Sequence, residues 1–134
     1  MPIAQEEIEK AGMQDRIETK VCDYMRDEFG VGYDVAYVSN IIHSLGPEDV
    51  RHIFEKAYRA LDSGGLIVVK DFFLEDSRIE PNNAAFFSIN MLVATEHGRS
   101  YTWRETENLL TSVGFKNLRR ENIAMASGII LAGK

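Results

Sequence analysis

The chain lacks the features that stabilise secreted proteins or anchor proteins in membranes. It has a single cysteine, Cys22, among 134 residues, so no internal disulfide can form and we expect a reducing, cytoplasmic environment. No apolar run approaches the roughly 20 residues that a membrane span needs. Residues 1–10 have no basic stretch followed by an apolar one, so they do not resemble a secretory signal.

Basic residues are also scarce. The 15 lysines and arginines are outnumbered by 21 aspartates and glutamates, which gives a formal net charge of -6 without any basic tract. Nucleic acid and membrane surfaces are therefore not expected as partners. Histidines, cysteines and carboxylates show no metal-ligand spacing, so no metal site is predicted. The composition, 45% hydrophobic and 27% charged, is typical of a globular protein, and the length predicts a single domain over residues 1–134.

The stretch from Tyr33 to Phe73 predicts a strand, a helix and a second strand. The strand cores within residues 33–38 and 66–71 are apolar with little alternation, as in parallel strands that are buried on both faces. Between them, residues 47–61 place apolar side chains at the helical spacings of three and four. A helix that joins two such strands is a βαβ crossover, so we predict that the two strands run parallel in one sheet.

Polar side chains follow both predicted strands. Ser39, Asn40 and His43 come after the first strand, and Asp71 ends the second. Because ligands of open α/β sheets bind beyond the carboxyl ends of the strands, we expect any chemistry at this edge. Histidine changes its protonation nearest to neutral pH, and a neighbouring carboxylate fixes its tautomer. The plainer alternatives are a helix-start histidine bonded to the backbone and a strand-end carboxylate in a turn.

The remaining segments give weaker patterns. Residues 82–95 predict a helix whose apolar side chains nearly surround it, which indicates a buried helix, one wall of a ligand pocket or a dimer contact. Thr102 and Glu105 resemble a capping box at the start of a helix that reaches Gly114. The other predicted elements are a short helix over residues 2–11, a weakly alternating strand within residues 16–22, and an antiparallel hairpin of residues 115–121 and 124–131.

Five segments of the sequence together resemble a known family. They are Gly32-Tyr33-Asp34-Val35, Ser39-Asn40-Ile41-Ile42-His43, Leu61-Asp62-Ser63-Gly64-Gly65, Gly98-Arg99-Ser100-Tyr101-Thr102 and Val113-Gly114-Phe115. This ordered set resembles the class I methyltransferases that use S-adenosylmethionine, and more narrowly the plant-type small-molecule O-methyltransferases and their bacterial relatives. The resemblance covers nearly the whole chain but only the C-terminal part of the family. Family members also carry an N-terminal helical dimerisation domain, a glycine-rich cofactor loop and an acidic residue that holds the ribose.

For the cofactor, S-adenosylmethionine, the resemblance implies four contact residues. Asp23 matches the carboxylate that accepts from the adenine amino group, and Tyr24 and Met25 match the residues that flank the adenine. Ser39 stands where plant enzymes often have a lysine near the cofactor. Cys22 replaces the glycine that usually precedes the aspartate. The alternative for Asp23, read from its position alone, is a helix cap.

For the acceptor, the resemblance implies three residues. His43 matches the histidine that deprotonates the acceptor hydroxyl, and Asp71 matches the acidic residue that orients this histidine. Met91 matches a methionine that lines the substrate pocket. Two departures from the family pattern lie close by. Ser44 replaces an aspartate that commonly follows the histidine, and Ser100 replaces a glutamate that also supports the base.

The resemblance also predicts the architecture. It implies a truncated Rossmann-like α/β sheet, mostly parallel with a C-terminal antiparallel hairpin and with helices on both faces. In the family, two strands that this sequence lacks lie between the strands that match Glu18–Cys22 and Val35–Val38. We therefore expect Glu18–Cys22 to pair directly with Val35–Val38 in a five-strand sheet. Apolar surface on this edge and on the helix at 82–95 would remain open, so a homodimer that covers it is expected.

Two functions are compatible with these observations. The first is an S-adenosylmethionine-dependent O-methyltransferase, or a fragment of one, that acts on a small-molecule hydroxyl with His43 as the general base. The alternative is a catalytically inactive methyltransferase-like domain that serves as a binding or dimerisation module. The glycine-rich loop is absent from this sequence, so we expect weak or no binding of S-adenosylmethionine by this chain alone.

Overall fold

The computed structural model describes residues 2–123 and 127–134 and contains both helices and strands. A short 3-10 turn, Ile42–Ser44, follows the first strand. In chain order the elements are α1 (Pro2–Lys10), β1 (Tyr33–Ser39), α2 (Pro47–Ala60), β2 (Leu61–Asp71), α3 (Asn82–Ala94), α4 (Trp103–Val113), β3 (Lys116–Asn122) and β4 (Gly128–Gly133).

The strands form one sheet in the order β1-β2-β4-β3. β1 and β2 are parallel, as the βαβ pattern predicts, and both β2–β4 and β3–β4 are antiparallel. The α/β class and the C-terminal antiparallel hairpin are confirmed. The sheet is mixed rather than mostly parallel, because the hairpin places β4 beside β2 and so supplies two of the three pairings. Residues 124–126 of the predicted second hairpin strand lie outside the described residues.

Local sequence explains where α2 begins and where α4 begins and ends. Pro47 occupies the first turn of α2 together with acidic residues, which suit the positive end of the helix dipole. At α4, the Thr102 side chain accepts from the Glu105 N–H while the Glu105 carboxylate accepts from the Thr102 N–H. Gly114 ends α4 at φ +117, a conformation that favours glycine. Both helices and the capping box are confirmed. No helix in the described part of the chain is long and apolar enough to cross a bilayer.

The two faces of the sheet differ in how well they are covered. α2 and α4 pack against each other and against one face, where the buried strand residues are Val38, Ile67, Val69, Ile130 and Ala132. On the opposite face, Tyr33, Val35, Tyr37 and Leu66 are between 42% and 62% exposed. Among the described residues, this second face is therefore the less covered one. The reason is that α3 packs at the carboxyl edge, against the 3-10 turn, instead of across the sheet.

The predicted strand at Glu18–Cys22 is wrong. These residues form neither helix nor strand, and the outer edge of β1 has no partner strand among the described residues, so the sheet has four strands rather than five. The apolar residues that produced the alternating pattern, Ile17 and Val21, are 49% and 79% exposed. A period-two pattern stabilises a strand only when a neighbouring strand and a covering layer use it, and this segment pairs with no strand and leaves its apolar side chains exposed.

Candidate active site

Parallel pairing brings the ends of β1 and β2 to one edge of the sheet. Ser39, the last residue of β1, is in register with Lys70, which immediately precedes Asp71 at the end of β2. His43 lies on the 3-10 turn that follows β1. Its Nδ1 is 2.8 Å from Asp71 Oδ1. The expected proximity of the two side chains is therefore confirmed.

The aspartate of this pair is almost completely buried. The Asp71 side chain is 3% exposed and that of His43 15%. Asp71 Oδ1 also accepts from the Phe72 N–H at 2.8 Å, while its buried Oδ2 has no hydrogen-bond partner among the described residues. An ionised carboxylate can only accept, so this contact places the proton of the neutral imidazole on Nδ1. The lone pair of His43 Nε2 is then available to accept a proton.

Aromatic side chains pack on one side of the imidazole. The Phe87 ring meets the His43 ring edge to face, with centroids 4.9 Å apart, and Phe72 packs on Phe87 at 4.6 Å. Met91, the predicted substrate-lining residue, is half-buried one helical turn after Phe87 on the same side of α3. Sequence reasoning missed Phe87 and Phe72. The spacing of four residues between Phe87 and Met91 is the signal that could have identified Phe87.

The loop after α3 contacts the main chain of His43. The Arg99 N–H donates to His43 O at 2.8 Å. At Gly98, an added Cβ would lie 2.7 Å from the same carbonyl oxygen, so only glycine fits there. Next in the loop, the buried hydroxyl of Tyr101 donates to Leu45 O at 2.7 Å. Burial raises the pKa of Tyr101, so its hydroxyl remains a donor. These contacts fix the backbone that carries the imidazole.

The two serines that depart from the family pattern make other contacts in the structure. Ser100 is buried, with its Oγ donating to Ala84 O at 3.1 Å and its N–H donating to Ser88 Oγ at 3.0 Å. Ser44 Oγ donates to Ile41 O at 2.8 Å and closes the 3-10 turn. Ser100 thus attaches the loop to α3, and neither serine hydroxyl donates to the dyad, the pair formed by His43 and Asp71.

The predicted cofactor residue Ser39 is half-buried at the end of β1. The next residue, Asn40, has φ +54, and its N–H donates to Lys70 O at 2.9 Å. In return, Lys70 Nζ donates to Asn40 Oδ1 at 2.9 Å. This reciprocal pair closes the polar end of the two strands beside the dyad.

The three predicted adenine contacts lie on an irregular segment beside β1. Asp23 Oδ1 accepts from the Met25 N–H at 3.0 Å, so the capping alternative is found, on a turn rather than on a helix. The Asp23 carboxylate is still 49% exposed, with Arg26 Nε 3.7 Å from its other oxygen. Tyr24 lines a largely apolar groove of ≈ 370 Å³ that reaches Ile41, two residues before His43.

Glu105 connects the loop to α4. It accepts from Arg78, from Arg99 and from the Thr102 N–H. Burial alone would raise the pKa of Glu105, but the Thr102 hydrogen bond and the two guanidinium groups outweigh burial, so the pKa is lowered from its ordinary value of 4.5. A carboxylate is therefore the stable form of this side chain in the folded protein.

Comparison with known proteins identifies the family. The profile of the O-methyltransferase domain matches residues 1–116. The chain is 34% identical over 134 residues to 3-hydroxy-5-methyl-1-naphthoate 3-O-methyltransferase of Streptomyces sahachiroi, covering 98% of this chain and 39% of that protein. It is 31% identical over 138 residues to L-tyrosine C(3)-methyltransferase of Streptomyces lavendulae, covering 99% of this chain and 38% of that protein.

Solved structures of S-adenosylmethionine-dependent methyltransferases share this fold. The solved structure of PigF with SAH superimposes with a TM-score of 0.88 and 26% identity over 99% of this chain and 40% of that one. PigF, from Serratia sp., is named as an S-adenosyl-L-methionine-dependent methyltransferase. The chain thus spans about two fifths of the length of these relatives. The family match and the fold agree with the resemblance of the five sequence segments, and the chain belongs to the O-methyltransferase family.

Proposed function

We propose that this chain carries the acceptor-activating part of an S-adenosylmethionine-dependent O-methyltransferase and that His43 is its general base. The observation that supports this most strongly is the 2.8 Å contact between His43 Nδ1 and the buried Asp71 carboxylate. It leaves Nε2 free to accept a proton. As the proton moves from the acceptor hydroxyl to Nε2, Asp71 stabilises the imidazolium that forms.

Methyl transfer requires the deprotonated oxygen to attack along the line of the bond that breaks. Bound S-adenosylmethionine would supply the methyl group. At its adenine end the chain offers a fitting contact, because the Asp23 carboxylate is half-exposed and can accept from an amino group. Tyr24 and the groove beside it would receive the ring. The sequence has no glycine-rich loop for the rest of the cofactor, so we expect weak binding by this chain alone.

The surroundings of the dyad favour an aromatic acceptor. The rings of Phe87 and Phe72 form one wall next to His43, and Met91 lies on the same side of α3. Flat apolar surfaces of this kind suit a phenol, whose ring packs while its hydroxyl faces the base. The naphthoate named for the Streptomyces sahachiroi relative is an acceptor of this class.

Methyl transfer to a hydroxynaphthoate at millimolar S-adenosylmethionine tests the proposal. His43→Gln is expected to lower the rate by about 10²–10⁴-fold, and Asp71→Asn is expected to lower it as well because the tautomer is no longer fixed. His97→Gln is the matched control, because His97 is exposed and its contact is with Glu96. A His43→Gln variant as active as the wild type would contradict the general-base role.

The alternative is an inactive methyltransferase-like module. The observation that favours it is Ser100, which bonds to α3 where the family's glutamate supports the base. If the wild type binds the hydroxynaphthoate but transfers no methyl group at saturating cofactor, the alternative is the better description.

A homodimer is part of the proposal. The exposed stripe on α3 consists of Phe86, Ile89, Leu92 and Val93. The helix contains no charged residue, so a second copy can pack on it without like-charge repulsion. Together with the open edge of β1, this surface could bury on the order of 1,000 Å² in total, the size at which specific interfaces begin.

Sedimentation velocity at tens of micromolar is expected to show a dimer, and Ile89→Glu is expected to convert it to a monomer by placing a charge in the contact. Ile3→Glu, at an exposed apolar position of α1, should leave the dimer intact. A wild-type chain that sediments as a well-behaved monomer would contradict the proposal.

A further inference from the structure

Lys56 is a charged residue that is almost completely buried. Its side chain belongs to α2 and the residue is 1% exposed. Its Nζ donates to Tyr24 O at 2.8 Å and lies 4.6 Å from the centre of the Phe29 ring. In the part of the chain that the structure describes, no carboxylate lies within ion-pair distance of Nζ. Because an unpartnered buried ammonium is strongly disfavoured, the Tyr24 carbonyl and the Phe29 ring must compensate this charge.

Two further side chains of α2 contact the same segment. His52 Nε2 is 3.3 Å from Met25 O, and Arg59 Nη2 donates to the Glu28 carboxylate at 3.0 Å. Positions 52, 56 and 59 are four and three residues apart, so they form one stripe along the helix. This stripe contacts four residues of the segment, Tyr24, Met25, Glu28 and Phe29.

The segment depends on these contacts because it has no strand or helix of its own. Residues 23–29 contain only the turn that Asp23 caps, and they reach the core only through Met25 and Phe29. Lys56 holds the main chain at Tyr24, between Asp23 and Met25. All three of these residues are the predicted adenine contacts.

We propose that Lys56 is a positioning residue of the cofactor site, which holds the 23–29 segment so that Asp23 and Tyr24 stand beside the groove along β1. The inference rests on the proposed function, because that function assigns the adenine to this segment. Lys56 itself acts through the Tyr24 carbonyl and does not contact the adenine. The other two residues of the stripe are more exposed and hold the segment less firmly.

Hydrogen exchange and adenosine binding by the full chain test the proposal together. Lys56→Met keeps the length of the side chain and removes its charge and its donor. We expect amides of residues 23–29 to exchange at least tenfold faster in this variant, with β2 unchanged, and adenosine to bind at least fivefold more weakly. Lys56→Arg, which keeps a donor and a charge, is expected to restore part of both effects. Arg51→Gln is the matched control, since Arg51 lies on the same helix and pairs with Glu55.

The possible failures are distinguishable. Unchanged exchange of residues 23–29 in Lys56→Met would overturn the role of Lys56, and so would equal adenosine affinity in variant and wild type. A wild type that binds no adenosine would instead overturn the proposed cofactor site.

If Lys56→Met does not fold, NMR of the Lys56 ammonium group in the wild type tests the proposal instead. Slow proton exchange and a coupling to the Tyr24 carbonyl support the proposal, and an ammonium that exchanges as fast as those of exposed lysines overturns it.

Discussion

On the acceptor side, Asp71 ends β2 and His43 lies on the 3-10 turn that follows the parallel strand β1, whereas on the cofactor side Asp23 and Tyr24 lie on a segment without helix or strand. On the acceptor side, the register of β1 on β2 determines where the side chains meet, and the 98–102 loop fixes the backbone of His43. On the cofactor side, side chains of α2 determine the position of the segment. Perturbing the first side should therefore affect the stability of the whole fold, while perturbing the second should affect local order.

The largest effect that this comparison predicts is at Gly98. In Gly98→Ala the new Cβ would approach both Thr95 Oγ1 and His43 O, so the loop or the 3-10 turn must move. We expect the free energy of unfolding to fall by about 1–3 kcal/mol, measured by urea denaturation. Gly133→Ala is the control, because its nearest neighbour, Lys116 O, would be at an ordinary 3.8 Å. Equal stability of the two variants would mean that the loop does not constrain His43.

A smaller effect, with a defined pH dependence, is expected at Glu105. The folded-state pKa of Glu105 is lowered from 4.5, so its carboxylate stabilises the fold fully above that value and progressively less as the pH falls through the lowered value. Glu105→Gln should therefore lower the free energy of unfolding by about 1 kcal/mol at pH 7. The difference from the wild type should disappear in acid.

Urea denaturation at neutral pH and near pH 3 checks this sign. Glu18→Gln is the control, because Glu18 is exposed on the irregular segment. Its difference from the wild type in the free energy of unfolding should be the same at both pH values. A difference between wild type and Glu105→Gln that grows in acid would contradict the assignment.

The parts of the acceptor side that were predictable are those that a short stretch of sequence determines. The βαβ unit follows from two apolar strands around an amphipathic helix, and its topology brings His43 near Asp71. The capping box at Thr102 and Glu105 is equally local. Phe87 was not predictable in this way, because its contact with His43 depends on how α3 packs against the edge of the sheet.

The cofactor side was predicted less well for the same reason. The alternation at Glu18–Cys22 suggested a strand, but a strand also needs a neighbour, and no short-range pattern supplies one. The donors on α2 that hold this segment are 27 to 32 residues away in the chain. No short-range pattern therefore marks His52 or Lys56 as residues that contact the main chain of this segment.

The smallest effect is expected at Arg59, and it separates the strong from the weak contacts of the α2 stripe. Arg59 and Glu28 are 52% and 65% exposed, so their ion pair is screened by solvent and should contribute about 0.2–1 kcal/mol to local order. Arg59→Gln should therefore speed amide exchange modestly around Glu28, and added salt should produce a similar change in the wild type. The contact of Lys56 with the Tyr24 carbonyl is buried, so salt should leave exchange at Tyr24 and Met25 unchanged. If salt loosens the whole 23–29 segment uniformly, the exposed ion pair and not the buried lysine holds the cofactor side in place.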